Sequence, residues 1–168
     1  MTISMYQASI PVLTKVLGNL AGILEKAEAH AVTKKIDPAV FIQARLYPDM
    51  YPLVRQIQIA TDVAKGGAAR LAGQTPPPFA DTETSFTELQ TRIAKTIAFL
   101  QTFTPGQIDG SEENTVTLPV GGREKTFAGL LYLLEFVLPN VYFHTTTAYA
   151  ILRHGGVDLG KADFLGSH

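Results

Sequence analysis

Four stretches of the chain repeat apolar residues at three- and four-residue steps, the spacing that keeps side chains on one face of an α-helix. We predict long helices over Ile3 to Ala29, Leu53 to Lys65 with a frayed continuation to Leu71, Ser85 to Pro105-Gly106, and Thr126 to His154. Amphipathic helices of this kind can bury their apolar faces only against one another. The pattern therefore predicts an all-α protein built on a four-helix bundle.

The last predicted helix carries the longest apolar run of the chain. One face repeats apolar residues from Leu130 to Ile151, and the opposite face carries Phe136 and Phe143. We therefore expect this helix to be buried around most of its circumference. Its polar interruptions are Asn140 and His144, which lie one turn apart on the same face.

Several local motifs predict where helices begin and end. Ser4 and Ser85 are each followed three residues later by Gln or Glu, which is the spacing of a capping box. Asp37-Pro38 predicts the start of a short helix that runs to Leu46. His30 follows the periodic part of the first helix, and we interpret it as a solvated cation favoured by the helix dipole.

One region reads as strand rather than helix. Thr115 to Val120 and Arg123 to Phe127 flank Gly121-Gly122, which is the signal of a two-residue β-hairpin. A hairpin of this size is unstable alone, so we expect it to pack on the helices just before the last one. The tail from Gly155 to His168 is rich in glycine and is predicted to be a surface loop.

Composition narrows the classes of function. A chain of 168 residues with 46% hydrophobic residues can bury one good core, so we expect a single domain over residues 1–168. With 14 basic and 15 acidic residues, no basic field favours nucleic acid. The chain has no cysteine, which excludes catalysis by a thiolate of its own. No membrane span or signal peptide is evident, so a cytoplasmic location is expected.

Two pairs of polar residues are candidates for a functional site. Asn140 and His144 have the spacing of a metal-binding or catalytic pair, although hydrogen bonds within a core would satisfy them equally well. Gln58 and Asp62 lie one turn apart on the second long helix. They are off its apolar stripe, and the simplest interpretation of this pair is a solvated face.

The order of elements and several segments resemble the DinB-like superfamily, also called DinB/YfiT-like, within a branch of uncharacterised bacterial proteins. The segments that carry the resemblance are Asp49 to Lys65, Leu138 to His144, Thr147 to Arg153, Gly156 to Lys161 and Asp163 to Gly166. The resemblance covers nearly the whole chain. It implies a four-helix bundle in up-down-down-up order, with a small β-hairpin before the last helix, and it implies a homodimer.

The resemblance also implies a site. In the superfamily, three histidines surround a divalent metal, and two of them lie at i and i+4 on the last helix. His144 takes the place of the second of these, and Asn140 stands where the first would be. The second long helix has no histidine, and Gln58 or Asp62 occupies the corresponding region. Such a set is a weaker and harder site than three imidazoles, so we expect either zinc, nickel or iron, or no cofactor.

Three functions remain open at this point. The first is a metal-dependent or degenerate enzyme of the thiol-dependent transferase or hydrolase type, with His144 as ligand or general base and Asp62 or Gln58 as its partner across the bundle. The second is a non-catalytic protein that binds a small molecule in the bundle interior near Tyr142 and Tyr149. The third is a dimeric interaction protein without metal, in which His144 is only a core residue.

Overall fold

The computed structural model describes residues 2–166. Its helices are α1 (Met5–Lys34), α2 (Pro38–Ile42), α3 (Leu53–Leu71), α4 (Phe86–Leu100), α5 (Pro105–Ile108), α6 (Gly129–Leu131), α7 (Leu138–His154) and α8 (Lys161–Leu165), and a π-helical segment (Tyr132–Val137) joins α6 to α7. The strands β1 (Thr115–Val120) and β2 (Arg123–Ala128) form an antiparallel hairpin. The chain is thus mostly helical with one small hairpin, as predicted.

The core lies between the four long helices. α3 packs against α4 and α7, and α1 packs against α4, α7 and the short α8. Their apolar stripes are buried, for example at Leu13 and Leu17 of α1 and Ile57 of α3, which are all 0% exposed. The hairpin adds Val116 and Leu118 to this core, which confirms that it packs on the helices. Full burial of each large apolar side chain stabilises the fold by about 1.5–3 kcal/mol.

The predicted starts of the first helix, the short second helix and the third long helix are confirmed, but several helix ends differ. α4 ends at Leu100 and not at Pro105-Gly106, where the separate short helix α5 begins. Ser4 and Ser85 form complete capping boxes, and the Asp37 carboxylate accepts a hydrogen bond from the backbone N–H of Ala39 at 2.9 Å. α2 ends at Ile42 instead of Leu46, several residues before the break that Tyr47-Pro48 predicts.

The first helix is longer than predicted. α1 continues to Lys34 and is closed by Lys35 in the left-handed conformation, with φ 55° and ψ 39°. His30 therefore lies inside α1, not beyond it. Its ring meets the edge of Phe41 at a centroid distance of 5.9 Å, so it packs against α2 as well as facing solvent.

The predicted fraying of the second long helix is wrong. α3 runs unbroken through Gly66-Gly67, and both glycines are buried. A Cβ added at Gly67 would lie 2.7 Å from a methyl group of Val137 in the π-helical segment. Gly67 therefore serves close packing between α3 and the π-helical segment, and this packing outweighs its low helix propensity.

The prediction of one continuous last helix is also wrong. Thr126 and its neighbours belong to β2, and the π-helical segment interrupts the α-helical path. Pro139 has no N–H to donate to the preceding turn and its ring crowds that turn. The widened turn accommodates this residue, since the Leu138 N–H bonds to the carbonyl of Leu133, five residues earlier.

The last helical stretch was predicted to be buried around most of its circumference, and this prediction is wrong. Its outer side leaves large apolar side chains at the surface: Leu130, Leu131, Leu134, Tyr142 and Phe143, which are 39–57% exposed. We call these five residues the apolar face. Within residues 2–166, no helix is long and apolar enough to cross a membrane.

The tail is more ordered than the predicted loop. Residues 161–165 form α8, which is fastened to α1 by two contacts: Lys26 Nζ lies 2.6 Å from Asp163, and Asn19 donates to the carbonyl of Phe164 at 2.9 Å. The hydrogen bond from Lys26 holds the pKa of Asp163 below its usual value. The last two residues of the predicted loop, 167 and 168, lie outside the described residues.

Candidate functional site

His144 lies on the side of α7 that packs against α3, and its ring is held by Gln56. Nδ1 of His144 lies 2.7 Å from Oε1 of Gln56, and Nε2 of Gln56 donates to the carbonyl of Tyr51 at 3.0 Å. Because the amide N–H is used on that carbonyl, the amide oxygen faces the ring and accepts a hydrogen from Nδ1. The lone pair of the imidazole is therefore on Nε2.

The surroundings of His144 favour its neutral form. The residue is 9% exposed, and burial, followed by the positive charge of Arg55, lowers its pKa below the ordinary 6.5. The ring is therefore neutral at neutral pH. Since the folded pKa is the lower one, the stability linked to this group is fully present above the unfolded pKa. It is lost as the pH falls from there towards the folded pKa.

Asn140 lies one turn before His144, as predicted, but its amide is used within its own helix. Nδ2 of this half-buried residue donates to the carbonyl of Phe136 at 2.6 Å. That carbonyl belongs to the π-helical segment, beside Pro139. Asn140 therefore supports the junction between the π-helical segment and α7.

Gln58 and Asp62 belong to a different polar cluster on α3. Nε2 of Gln58 donates to Glu83 at 2.9 Å, and its oxygen accepts a hydrogen bond from Arg55 at 3.2 Å. Gln58 is only 5% exposed, so the interpretation as a solvated face is wrong for this residue. The reason is that the connection 74–84 between α3 and α4, which we call the strap, folds over it.

The centre of this cluster is the guanidinium of Arg92, which projects from α4 and is 3% exposed. Its Nε donates to the Thr61 hydroxyl at 2.8 Å, and Nη1 contacts Glu83 at 3.0 Å. Nη2 pairs with Asp62 at 2.9 Å and with Asp81 at 3.0 Å. We call these five residues the Arg92 cluster. They tie the strap to both helices.

Burial and hydrogen bonding act in opposite directions on Glu83 of the Arg92 cluster. Burial works to raise its pKa, but hydrogen bonds from Gln58 and Arg92 outweigh burial and hold the pKa below its usual value. The carboxylate is therefore ionised at neutral pH and available to hold the strap. Both polar atoms of the Gln58 amide are used in hydrogen bonds, to Glu83 and from Arg55, so this amide is not available as a metal ligand.

The four residues of the predicted metal site each have a different polar partner. These partners are Gln56 for His144, the carbonyl of Phe136 for Asn140, Glu83 for Gln58 and Arg92 for Asp62. Among residues 2–166, no group of three or more His, Asp or Glu side chains is placed to hold a metal ion. Asp62 is already shared between Lys65 and Arg92, each at 2.9 Å. The charge of Arg55 near His144 also opposes a cation there. This donor set does not fit the three-histidine centre of the superfamily.

Two residues of the site were not singled out from the sequence. Gln56, 2% exposed, fixes the ring of His144, and Arg55 acts on its charge while also bonding Gln58. The available signal was their position in the first turn of a helix that starts after Pro52. A Gln on the apolar side of such a helix requires a buried partner.

The comparisons agree with this architecture. The crystal structure of a DinB family member protein from Shewanella denitrificans is 42% identical, with a TM-score of 0.88. The match covers 97% of this chain and 92% of that one. The resemblance to the DinB-like superfamily is thereby confirmed. The chain belongs to the DUF1993 family, a domain of unknown function whose model matches residues 5–165. No curated protein matches it.

Proposed function

We propose that this DinB-like protein is a degenerate relative of metal-dependent enzymes, in which the neutral Nε2 of His144 acts as a proton acceptor for a small ligand. The observation that carries the proposal is the hydrogen bond from Nδ1 of His144 to Gln56 at 2.7 Å. This bond fixes the ring orientation and the tautomer. It also stabilises the Nδ1–H when a proton arrives at Nε2, which is what a general base requires.

The chemistry that suits this arrangement is activation of a thiol or of water, as in a transferase or hydrolase. His144 would take the proton, and the positive charge of Arg55 would favour the resulting anion. In the superfamily a divalent metal lowers the pKa of such a nucleophile. The donor set here does not fit that role. Asp62, already paired with Lys65 and Arg92, has no part in the proposed step.

We also propose a four-helix bundle in up-down-down-up order and a cytoplasmic location. The pairings α1 with α4, α4 with α3, α3 with α7 and α7 with α1 close a ring of four helices. The strap connects α3 to α4 and is long enough to return along the bundle, as two successive helices in the same direction require.

Nitrogen NMR of the imidazole tests the proposed base. We expect the neutral ring of His144 to carry its proton on Nδ1 and to titrate below the ordinary 6.5. In Gln56→Leu this preference should be lost, and the free energy of unfolding should fall by about 1–3 kcal/mol because a buried N–H loses its acceptor. Gln43→Leu, at an exposed position, is the matched control and should change neither quantity.

Metal content separates the degenerate enzyme from an intact metalloenzyme. Tag-free protein should contain far less than one equivalent of zinc, nickel or iron, and His144→Ala should not change this content. One equivalent of metal in the parent that is lost in His144→Ala would contradict the proposal. It would establish a resident metal despite the donor set described above.

A second candidate function is homodimerisation through the apolar face. Its five large side chains are 39–57% exposed and lie on the helical path from α6 to α7, and large exposed apolar surface is typical of protein interfaces. Leu134→Glu should halve the molar mass measured by light scattering, because a buried unpaired charge opposes association. Leu165→Glu, 42% exposed on α8, is the control. A parent that is monomeric at every concentration would rule this function out.

A further inference from the structure

A cleft opens between α3 and the strap, beside Asp62 of the Arg92 cluster. Its volume is about 400 Å³, and it is lined by Asp62, Lys65, Gly66 and Arg70 of α3 and by strap residues 75–79. His144 and Asn140 do not line it. An inference about this cleft therefore goes beyond the proposed function and does not depend on it.

Arg70 has no acidic partner among the described residues. Its guanidinium is half-buried, and Nη1 lies 3.2 Å from the hydroxyl of Tyr132, which is neutral. Among the ion pairs of residues 2–166, none involves Arg70. Its position in the last turn of α3 suits the helix dipole. That explains a cation at this position, but not the direction in which its side chain folds.

The conformation of Arg70 depends on Gly66. A Cβ added at Gly66 would lie 2.4 Å from Nη1 of Arg70, so the guanidinium lies directly over this glycine. Gly66 is one turn before Arg70 on the same helix face. Its missing side chain leaves the space that the guanidinium occupies beside the helix.

Lys65 supplies a second cation at the same cleft. It is 4% exposed, its Nζ lies 2.9 Å from Asp62, and it stands 3.8 Å from the ring centre of Phe79 on the strap. Asp62 is shared, because Arg92 also pairs with it at 2.9 Å. The cleft is therefore lined by two cations, Arg70 and Lys65, and by one carboxylate, Asp62, which also pairs with Arg92. Its net charge is positive, although the whole chain has a net charge of −1.

We propose that this cleft is a binding site for a small oxyanion, a phosphate or phosphate monoester, held between Arg70 and Lys65. The planar fork of arginine matches two oxygens of such a group, and lysine adds a point charge. Gly66, which lacks a side chain, leaves the space in which the Arg70 guanidinium lies. The strap, anchored by Phe79, forms the opposite wall.

Isothermal titration calorimetry with inorganic phosphate tests the site. Sodium chloride at equal ionic strength is the reference, and acetate distinguishes a carboxylate from a phosphate ligand. We expect phosphate to bind the parent protein, and Arg70→Gln to weaken binding by about tenfold or more, since a charge-assisted pair is lost. Gly66→Ala keeps every charge but displaces the guanidinium, so it should weaken binding to a similar degree.

Gly18→Ala is the matched control, because a Cβ there meets nothing within 4 Å and the site is in α1. It should bind phosphate like the parent. Circular dichroism of each variant confirms that α3 is intact. The proposal is overturned if phosphate gives no more heat than chloride, or if Arg70→Gln binds phosphate as tightly as the parent. Equal binding of acetate at the same residues would assign the site to carboxylate ligands instead of phosphates.

Discussion

Arg92→Met is expected to lower the free energy of unfolding by about 3 kcal/mol, the low end of the range for breaking a buried ion pair. The almost fully buried guanidinium donates hydrogen bonds to Thr61, to the backbone of the strap and to Glu83. It also forms ion pairs with Asp62 and Asp81. Without it, Glu83, whose side chain is 10% exposed, loses its cationic partner in a partly buried position. The low end applies because Asp62 and Asp81 are 38% and 37% exposed and water screens them.

Urea denaturation at neutral and acidic pH measures this effect, with Lys95→Met as the control. Lys95 is exposed and also contacts Phe79, at 4.1 Å, but it has no carboxylate partner among the described ion pairs. Since the pKa of Glu83 is held low, its stabilisation is present above the ordinary 4.5 and is lost as the pH falls below it. The difference between parent and Arg92→Met should therefore shrink in acid. Equal stability of Arg92→Met and Lys95→Met at neutral pH would show that Arg92 is not the centre of this region.

The parts of the fold that were predicted correctly depend on local chemistry. Ser85 caps α4 because its side chain and that of Glu88 satisfy each other's backbone N–H groups, and both residues are visible in the sequence. The Gly121-Gly122 turn has φ of 58° and 78°, which is the conformation that a two-residue hairpin requires of glycine. These features need no knowledge of distant residues.

The parts that were predicted wrongly depend on contacts between distant residues. Gly67 reads as a helix end, yet it is buried where α3 meets Val137, seventy residues later in the chain. The π-helical segment reads as ordinary helix, because a widened turn changes the periodicity of only a few residues. Pro139 was the available signal, but a proline alone does not distinguish a kink from a π turn.

The candidate site shows the same division. His144 was recognisable as a polar residue within an apolar run, and the structure places it in the interior as that pattern suggests. Its partner Gln56 was not recognisable, since only the packing of α3 on α7 brings the two together. Gln58 was misread because its burial depends on the strap, whose path a sequence pattern does not determine.

α3 thus carries two polar systems on different sides. Gln56 points to His144 on α7, while Gln58 and Asp62 contact the strap and Arg92. Arg55 connects them, because it bonds Gln58 and Asp81 and its charge also lowers the pKa of His144. Arg55 therefore links the strap to the candidate base, through hydrogen bonds on one side and through its charge on the other.

Gly129→Ala is expected to cost about 3 kcal/mol of stability, the upper part of the usual range for overpacking. A Cβ at this position would lie 1.9 Å from the backbone oxygen of Ser111. That oxygen is held in place, since it accepts a hydrogen bond from the backbone N–H of Asn114 at 3.1 Å. The backbone carbonyl of the next residue, Glu112, accepts from the N–H of Leu130 at 2.9 Å. A backbone so fixed cannot yield as a flexible side chain would. Thermal and urea denaturation measure the loss.

Gly18→Ala again provides the control, and it should stabilise the protein by about 0.5–1 kcal/mol because alanine is the better helix former. A Gly129→Ala variant as stable as the parent would show that the segment near Ser111 does not press against α6.

Where the Gly129→Ala variant still folds, we expect it to affect His144 as well as stability. Gly129 begins the helical path that runs through the π-helical segment to α7, so its displacement should also disturb the hydrogen bond between His144 and Gln56. A mixture of imidazole tautomers in this variant would show that the contact at Gly129 sets the position of the candidate base.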